Sequence, residues 1–209
     1  VEFFKSCDYI TFPWNVNYED GGMLGIKTLS DLCKRDVHYI PQPHNINYLY
    51  DRYFKQDKLV QILNYKTPEV SPAENTESFV DYISQKYNIP VVQHIVKYKG
   101  PTHNQWEEFL SGITDSLYCF NLDTVKTGGS MAVQCAALGI LNVGGVQDSN
   151  EILFPNTSTN DWNKLEESFV DIHEDTFKIE SLIYEAFRKA QEHYSYEVVR
   201  ERFLGVIDG

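Results

Sequence analysis

The chain has 209 residues, 42% of them hydrophobic and 23% charged, with a formal net charge of −12 at pH 7. That length supports one large domain, or one domain plus a fragment of another, and the 14% aromatic content argues against disorder. The acidic balance argues against a general nucleic-acid or anionic-membrane surface, and no apolar run approaches the ~20 residues needed to cross a bilayer.

In chain order, residues 8–13 read as a strand ended by Pro13, and 25–35 carry helical spacing at Ile26, Leu29 and Leu32. Residues 37–40 read as a short strand stopped by Pro41 and Pro43, a pair that suits a stiff connector between domains. Residues 45–55 are either a short helix or an irregular docked segment. Residues 58–63 are a strand, followed by Asn64, Tyr65 and Lys66 and a loop with two prolines. An amphipathic helix over 74–87 sets Phe79, Ile83 and Tyr87 on one face. Strand 89–96 leads into Lys97, Tyr98, Lys99 and Gly100, and helix 104–113 turns Trp106, Phe109, Leu110 and Ile113 inward.

The most informative stretch comes next. Residues 117–122 read as a buried strand, and after a polar loop Gly128, Gly129 and Ser130 open a helix of small and apolar residues that ends at Gly139. Residues 140–143 return as a strand before Gly144 and Gly145. Adjacent glycines let a backbone approach a ligand closely, and the free N–H groups at a helix start favour an anion. Two accounts stand side by side, a phosphate cradle and a tight turn that serves helix–sheet packing. A helical turn at 148–154 follows, then a helix capped by Asp161 and running to about 172, a second over 176–194 and a third over 195–207.

Strands alternating with helices from 59 to 143 define an α/β fold, a Rossmann-like and mostly parallel sheet with helices on both faces. Such sheets bind ligands at the carboxyl ends of their strands, where Lys66, the 97–100 loop and residues 127–130 converge. Thr127, Gly128, Gly129 and Ser130 offer N–H groups and hydroxyls to an anion. Lys66, Lys97 and Lys126 are either phosphate contacts or solvated lysines, and Tyr98 either flanks a base or is an edge aromatic. His103 stands near the same rim. If Gly129 faces a solvent-filled cleft, Gly129→Val removes ligand and leaves the fold intact. The six histidines and four cysteines show no metal-ligand spacing, so no metal and no cofactor are expected, and Cys119 and Cys135 read as buried, reduced thiols.

On the connector (Val37 to Asn45), the glycine-opened helix ending in Ala137-Leu138-Gly139, the returning strand and the trailing helices with Tyr194-Ser195-Tyr196, the chain resembles the carboxyl-terminal, donor-binding half of a GT-B glycosyltransferase. The resemblance implies a nucleotide-diphosphate sugar as donor substrate, with the diphosphate at 127–130, and an acceptor that is a glycan, lipid or small molecule. It divides the chain into 1–44, the tail of an acceptor-side domain with its connector, and 45–209, the donor-binding domain. An upstream domain of the same protein then supplies the acceptor site, in a metal-independent, cytoplasmic enzyme with no nucleic-acid partner. Many retaining members carry two glutamates where this chain has Lys126 and Gln134, and a Gly-Arg step where it has Asn64 and Tyr65 ahead of Lys66. A non-catalytic module of the same fold, or a nucleotide-sugar epimerase, is the alternative. No G-x-G-x-x-G follows a first strand, which sets a dehydrogenase aside.

Overall fold

The computed structural model describes residues 10–12, 30–32, 34–66, 76–95, 103–122, 129–146 and 148–208. Strands β1 (Ile10–Phe12) and β2 (Val37–Tyr39) form a small parallel pair. The main sheet contains β3 (Leu59–Lys66), β4 (Val91–Ile95), β5 (Ser116–Phe120) and β6 (Leu141–Val143), in the order β4-β3-β5-β6 and parallel throughout. The helices are α1 (Ile46–Tyr53), α2 (Thr76–Tyr87), α3 (His103–Ile113), α4 (Ser130–Leu138), α5 (Asp148–Leu153), α6 (Trp162–His173), α7 (Thr176–Tyr194) and α8 (Tyr196–Asp208). The α/β reading is borne out, and the segment 45–55 forms a helix over Ile46–Tyr53. Asn45 caps that helix by accepting from the Tyr48 N–H at 3.1 Å.

Parallel strands need crossover helices, and the strand order fixes their side. The chain steps from β3 outward to β4, returns across β3 to β5, and continues to β6. Right-handed crossovers place α2 on one face and both α3 and α4 on the other. Side-chain contacts agree. On the α2 face Phe79, Phe120 and Phe169 of α6 meet, and Lys86 and Glu166 join α2 to α6 at 2.5 Å. On the opposite face α4 packs against α1 and α7, and Arg52 of α1 reaches Glu107 of α3.

Period-two alternation in β5 sorts its side chains between these faces. Tyr118 and Phe120 enter the aromatic cluster with Phe169 and His173, whereas Cys119 turns to meet Cys135 of α4. Both cysteines are buried and free. Burial raises the Tyr118 phenol to about 12 and lowers the His173 imidazole. Tyr118 therefore keeps its proton, and its hydroxyl shares a hydrogen bond with the neutral His173 Nδ1 at 2.7 Å.

Helix α4 is the most enclosed element. Residues 131 through 138 are all buried, and a helix without a polar stripe is stable only when surrounded. Ala132, Ala136 and Ala137 keep it narrow, and α7 presents Ala186 and Ala190, one turn apart and fully buried. Gly139 closes the helix at φ +68°, and Ile140 N–H returns to the Cys135 carbonyl at 2.8 Å. A Cβ on Gly139 would stand 2.5 Å from the Phe54 ring, so both backbone and space demand glycine there.

The connector after β2 is clasped to the α7–α8 junction. His44 N–H donates to the Tyr194 carbonyl at 2.7 Å, and His44 bridges Ser195. Burial lowers the His44 imidazole to about 4. The unfolded chain, with its histidine near ~6.5, binds the proton first, so this contribution to stability is complete above that pH and is lost as pH falls towards 4. Urea unfolding across this window should show stability falling with pH, and His44→Gln should flatten that slope; an unchanged slope would contradict the half-buried, neutral imidazole.

Candidate functional site

The sheet's topology creates a crevice before any side chain is considered. Helix α2 follows β3 on one face and α4 follows β5 on the other, so the helices after these adjacent strands lie on opposite sides of the sheet. That reversal is the topological switch point, where open α/β sheets bind ligands beyond their carboxyl ends. Lys66 ends β3, and the start of α4 stands on the far side of the crevice.

Gly129 precedes α4 with φ +69° and ψ +46°, a left-handed conformation, and no side-chain hydrogen bond caps the helix among the described residues. The carbonyl of Gly129 accepts from Ala132 N–H at 3.0 Å, which starts the helix and leaves the earlier N–H groups without intrahelical partners. Ser130, partly exposed, donates its hydroxyl to Gln42 Oε1 of the connector at 3.1 Å. Gln134 lies one turn further along α4, buried at 6% exposure.

These positions revise one expectation. Gly129 is itself buried, and a β-branched residue at φ +69° is strained whatever space surrounds it. Gly129→Val therefore costs stability in either account of the loop and does not separate a ligand cradle from a packing turn. His103 opens α3. Lys97, Tyr98, Lys126, Thr127 and Gly128 lie outside the described residues.

A buried polar brace behind the helix start was not foreseen. Ser149, fully buried in α5, donates its hydroxyl to the Gly129 carbonyl at 2.6 Å. Asn150 donates to the Gly144 carbonyl at 2.6 Å and accepts from Asn142 at 2.9 Å. Thr157 donates its hydroxyl to the Asn142 carbonyl and receives Gly144 N–H on its own carbonyl, while Ser158 donates to the Gly145 carbonyl. Gly144 at φ +87° has no room for a side chain, because a Cβ would fall 2.1 Å from Leu122 Cδ2. The brace fixes Gly129, Gly144 and Gly145 relative to one another. Its only sequence signal is an ordinary run of turn-forming polar residues between apolar segments.

Beside the helix start, the connector and α8 enclose an open, largely apolar cleft of about 620 Å³ whose walls include Pro41, Gln42, Tyr196, Arg200 and Phe203. Gln42 thus touches both the cleft and Ser130. Among the described residues, no group of His, Cys, Asp or Glu is placed to hold a metal ion, and no helix is long and apolar enough to cross a membrane.

No protein-family model and no curated protein matches the chain. Solved structures do. An alpha-glucosyltransferase in complex with UDP and a 13-mer DNA containing a HMU base superposes with a TM-score of 0.67 at 12% identity, covering 100% of this chain and 67% of that one. An alpha-glucosyltransferase in complex with UDP-glucose and DNA containing an abasic site gives 0.59 at 13% identity, over 83% and 58% of the two chains. Sucrose-phosphate synthase from Thermosynechococcus elongatus gives 0.52 at 13% identity, over 83% and 52%. The chain thus spans about half to two thirds of the lengths of these proteins, and what it shares with them is the GT-B glycosyltransferase fold.

The DNA in two of these structures corrects the expectation of no nucleic-acid partner. Net charge averages over the whole surface, whereas a nucleic acid is gripped by local groups, so −12 overall does not exclude one.

The brace can be tested without a ligand. Ser149→Ala removes the donor that holds the Gly129 carbonyl and should lower stability by about 0.5–1.5 kcal/mol in urea unfolding. Unchanged stability would show that the Ser149 hydroxyl does not hold the helix start.

Proposed function

We propose that the chain is the donor-binding half of a GT-B glycosyltransferase and takes a nucleotide-diphosphate sugar at the switch point. The observation that carries this reading is the start of α4, whose first N–H groups follow a left-handed, buried Gly129 and have no capping side chain among the described residues. In this reading the diphosphate meets those N–H groups and the Ser130 hydroxyl, with Thr127, Gly128, Lys126 and Lys66 as further contacts. Partial positive charge at the helix start complements an anion without a basic protein surface.

The chemistry follows from where charge develops. When the bond between the anomeric carbon and the diphosphate breaks, its electrons pass to the departing phosphate oxygen. Donors already fixed by the fold stabilise that charge with little reorganisation. Held in this way, the leaving group needs no protein-bound metal. Residues 1–44 belong with an acceptor-side domain of the same protein, which supplies the acceptor site. The acceptor is a glycan, a lipid, a small molecule or, given the DNA in two structures of this fold, a nucleic acid.

A second reading is a non-catalytic module that keeps the donor site. Gln134 favours it, because this neutral residue stands buried in α4 where many retaining members have a glutamate. Binding of UDP-glucose without any release of UDP in the presence of acceptors would support this second reading.

UDP and UDP-glucose should each raise the melting temperature of the chain, since a ligand bound at 100 times its Kd stabilises the native state by about 2.7 kcal/mol. Ser130→Ala should weaken UDP by roughly tenfold to a hundredfold, the value of one hydrogen bond to a charged group, with little change in unliganded stability. No thermal shift with either nucleotide would contradict the donor-site reading.

A further inference from the structure

One buried polar group is not satisfied by any described residue. Asn64 lies in β3, two residues before its carboxyl end, and its backbone is flanked by β4 on one side and β5 on the other. It is 1% exposed and follows Ile62 and Leu63, which are fully buried. Asparagine is disfavoured in strands, and a central strand between two apolar layers gives it little to bond. Its Nδ2 donates to Gln93 Oε1 of β4 at a long 3.4 Å. Its Oδ1 is buried and has no hydrogen-bond partner among the described residues. Leaving a carbonyl acceptor dry is costly, whereas a leucine of similar size would leave nothing unsatisfied.

We infer that Asn64 Oδ1 accepts a hydrogen bond from an uncharged O–H or N–H group of the nucleotide sugar bound at the switch point, an assignment that rests on the donor-site reading above. Three features support it. Asn64 lies two residues from the carboxyl end of β3, in register with Phe120 and so on the α2 face of the crevice that α4 bounds from the other face. The acceptor is enclosed and no described residue satisfies it, which suits a partner brought by a bound ligand. A diphosphate offers only acceptors, so the partner belongs to the sugar, the ribose or the base. Asn64 then reads the neutral part of the donor while the start of α4 holds the charged part, which separates specificity from anchoring.

The test uses the 209-residue chain and its Asn64→Leu variant, with UDP-glucose, UDP and pyrophosphate as probes. Removing the unsatisfied acceptor should raise the melting temperature of the unliganded variant. The same change should weaken UDP-glucose about tenfold and leave pyrophosphate unchanged. If UDP keeps its affinity, the partner is a hydroxyl of the sugar; if UDP weakens equally, it lies on the ribose or base. A variant that melts lower than the wild type, or that binds all three probes as the wild type does, overturns the assignment while leaving the donor site standing. A wild-type chain that binds none of the probes ends the donor-site reading and this assignment with it. Should Asn64→Leu fail to fold, Asn64→Ala removes the same acceptor without added bulk and carries the same binding comparison.

Discussion

Helix α4 has no solvent face, and this constraint shapes the rest of the structure. Of its eight consecutive buried residues, all but Gln134 are small or apolar, in keeping with its three alanines and with Ala186 and Ala190 on α7. An enclosed helix cannot trade its terminal polar groups against water along its length, so its ends are settled by backbone geometry. Gly129 and Gly139, both left-handed, supply the turns. One end is closed upon itself through Ile140 N–H. The other opens at the carboxyl edge of the sheet, where the topology has already made a crevice.

The open end is held from behind. Ser149 fixes the Gly129 carbonyl, and the side chains of Asn142, Asn150, Thr157 and Ser158 tie the Gly144–Gly145 turn to the same frame. Buried polar groups are useful when satisfied, because each then specifies one arrangement. Asn64 breaks that pattern across the crevice with an acceptor that no described residue satisfies. An acidic chain can still present an anion site of this kind, because peptide dipoles act over a few ångströms, while the protein's distant charges are screened by salt.

Much of the fold was legible because its signals are local and periodic. The apolar run of β3, the helical spacing of 176–194 and the Asp161 cap each stand in one short stretch, and each formed; Asp161 accepts from the N–H groups of Asn163 and Lys164. Strand β3 runs on through Asn64, Tyr65 and Lys66, beyond the strand expected over 58–63. The glycine-opened helix was legible for the same reason. What the sequence hid depends on three-dimensional meeting. Ser149 and Gly129 are 20 positions apart, and Ser130 and Gln42 are 88 apart, so neither pair has a sequence pattern. The left-handed backbone of Gly129, which removes the meaning of a valine substitution there, is equally invisible in the letters. The exclusion of nucleic acid failed because a summed charge has no position.

The most direct measurement is the backbone amide spectrum of the isotope-labelled chain titrated with UDP. The account predicts the largest shifts at Gly129, Ser130 and Met131, saturating together with a single dissociation constant. Shifts concentrated instead around Tyr196, Arg200 and Phe203 in the cleft beside α8, with the start of α4 unmoved, would contradict it.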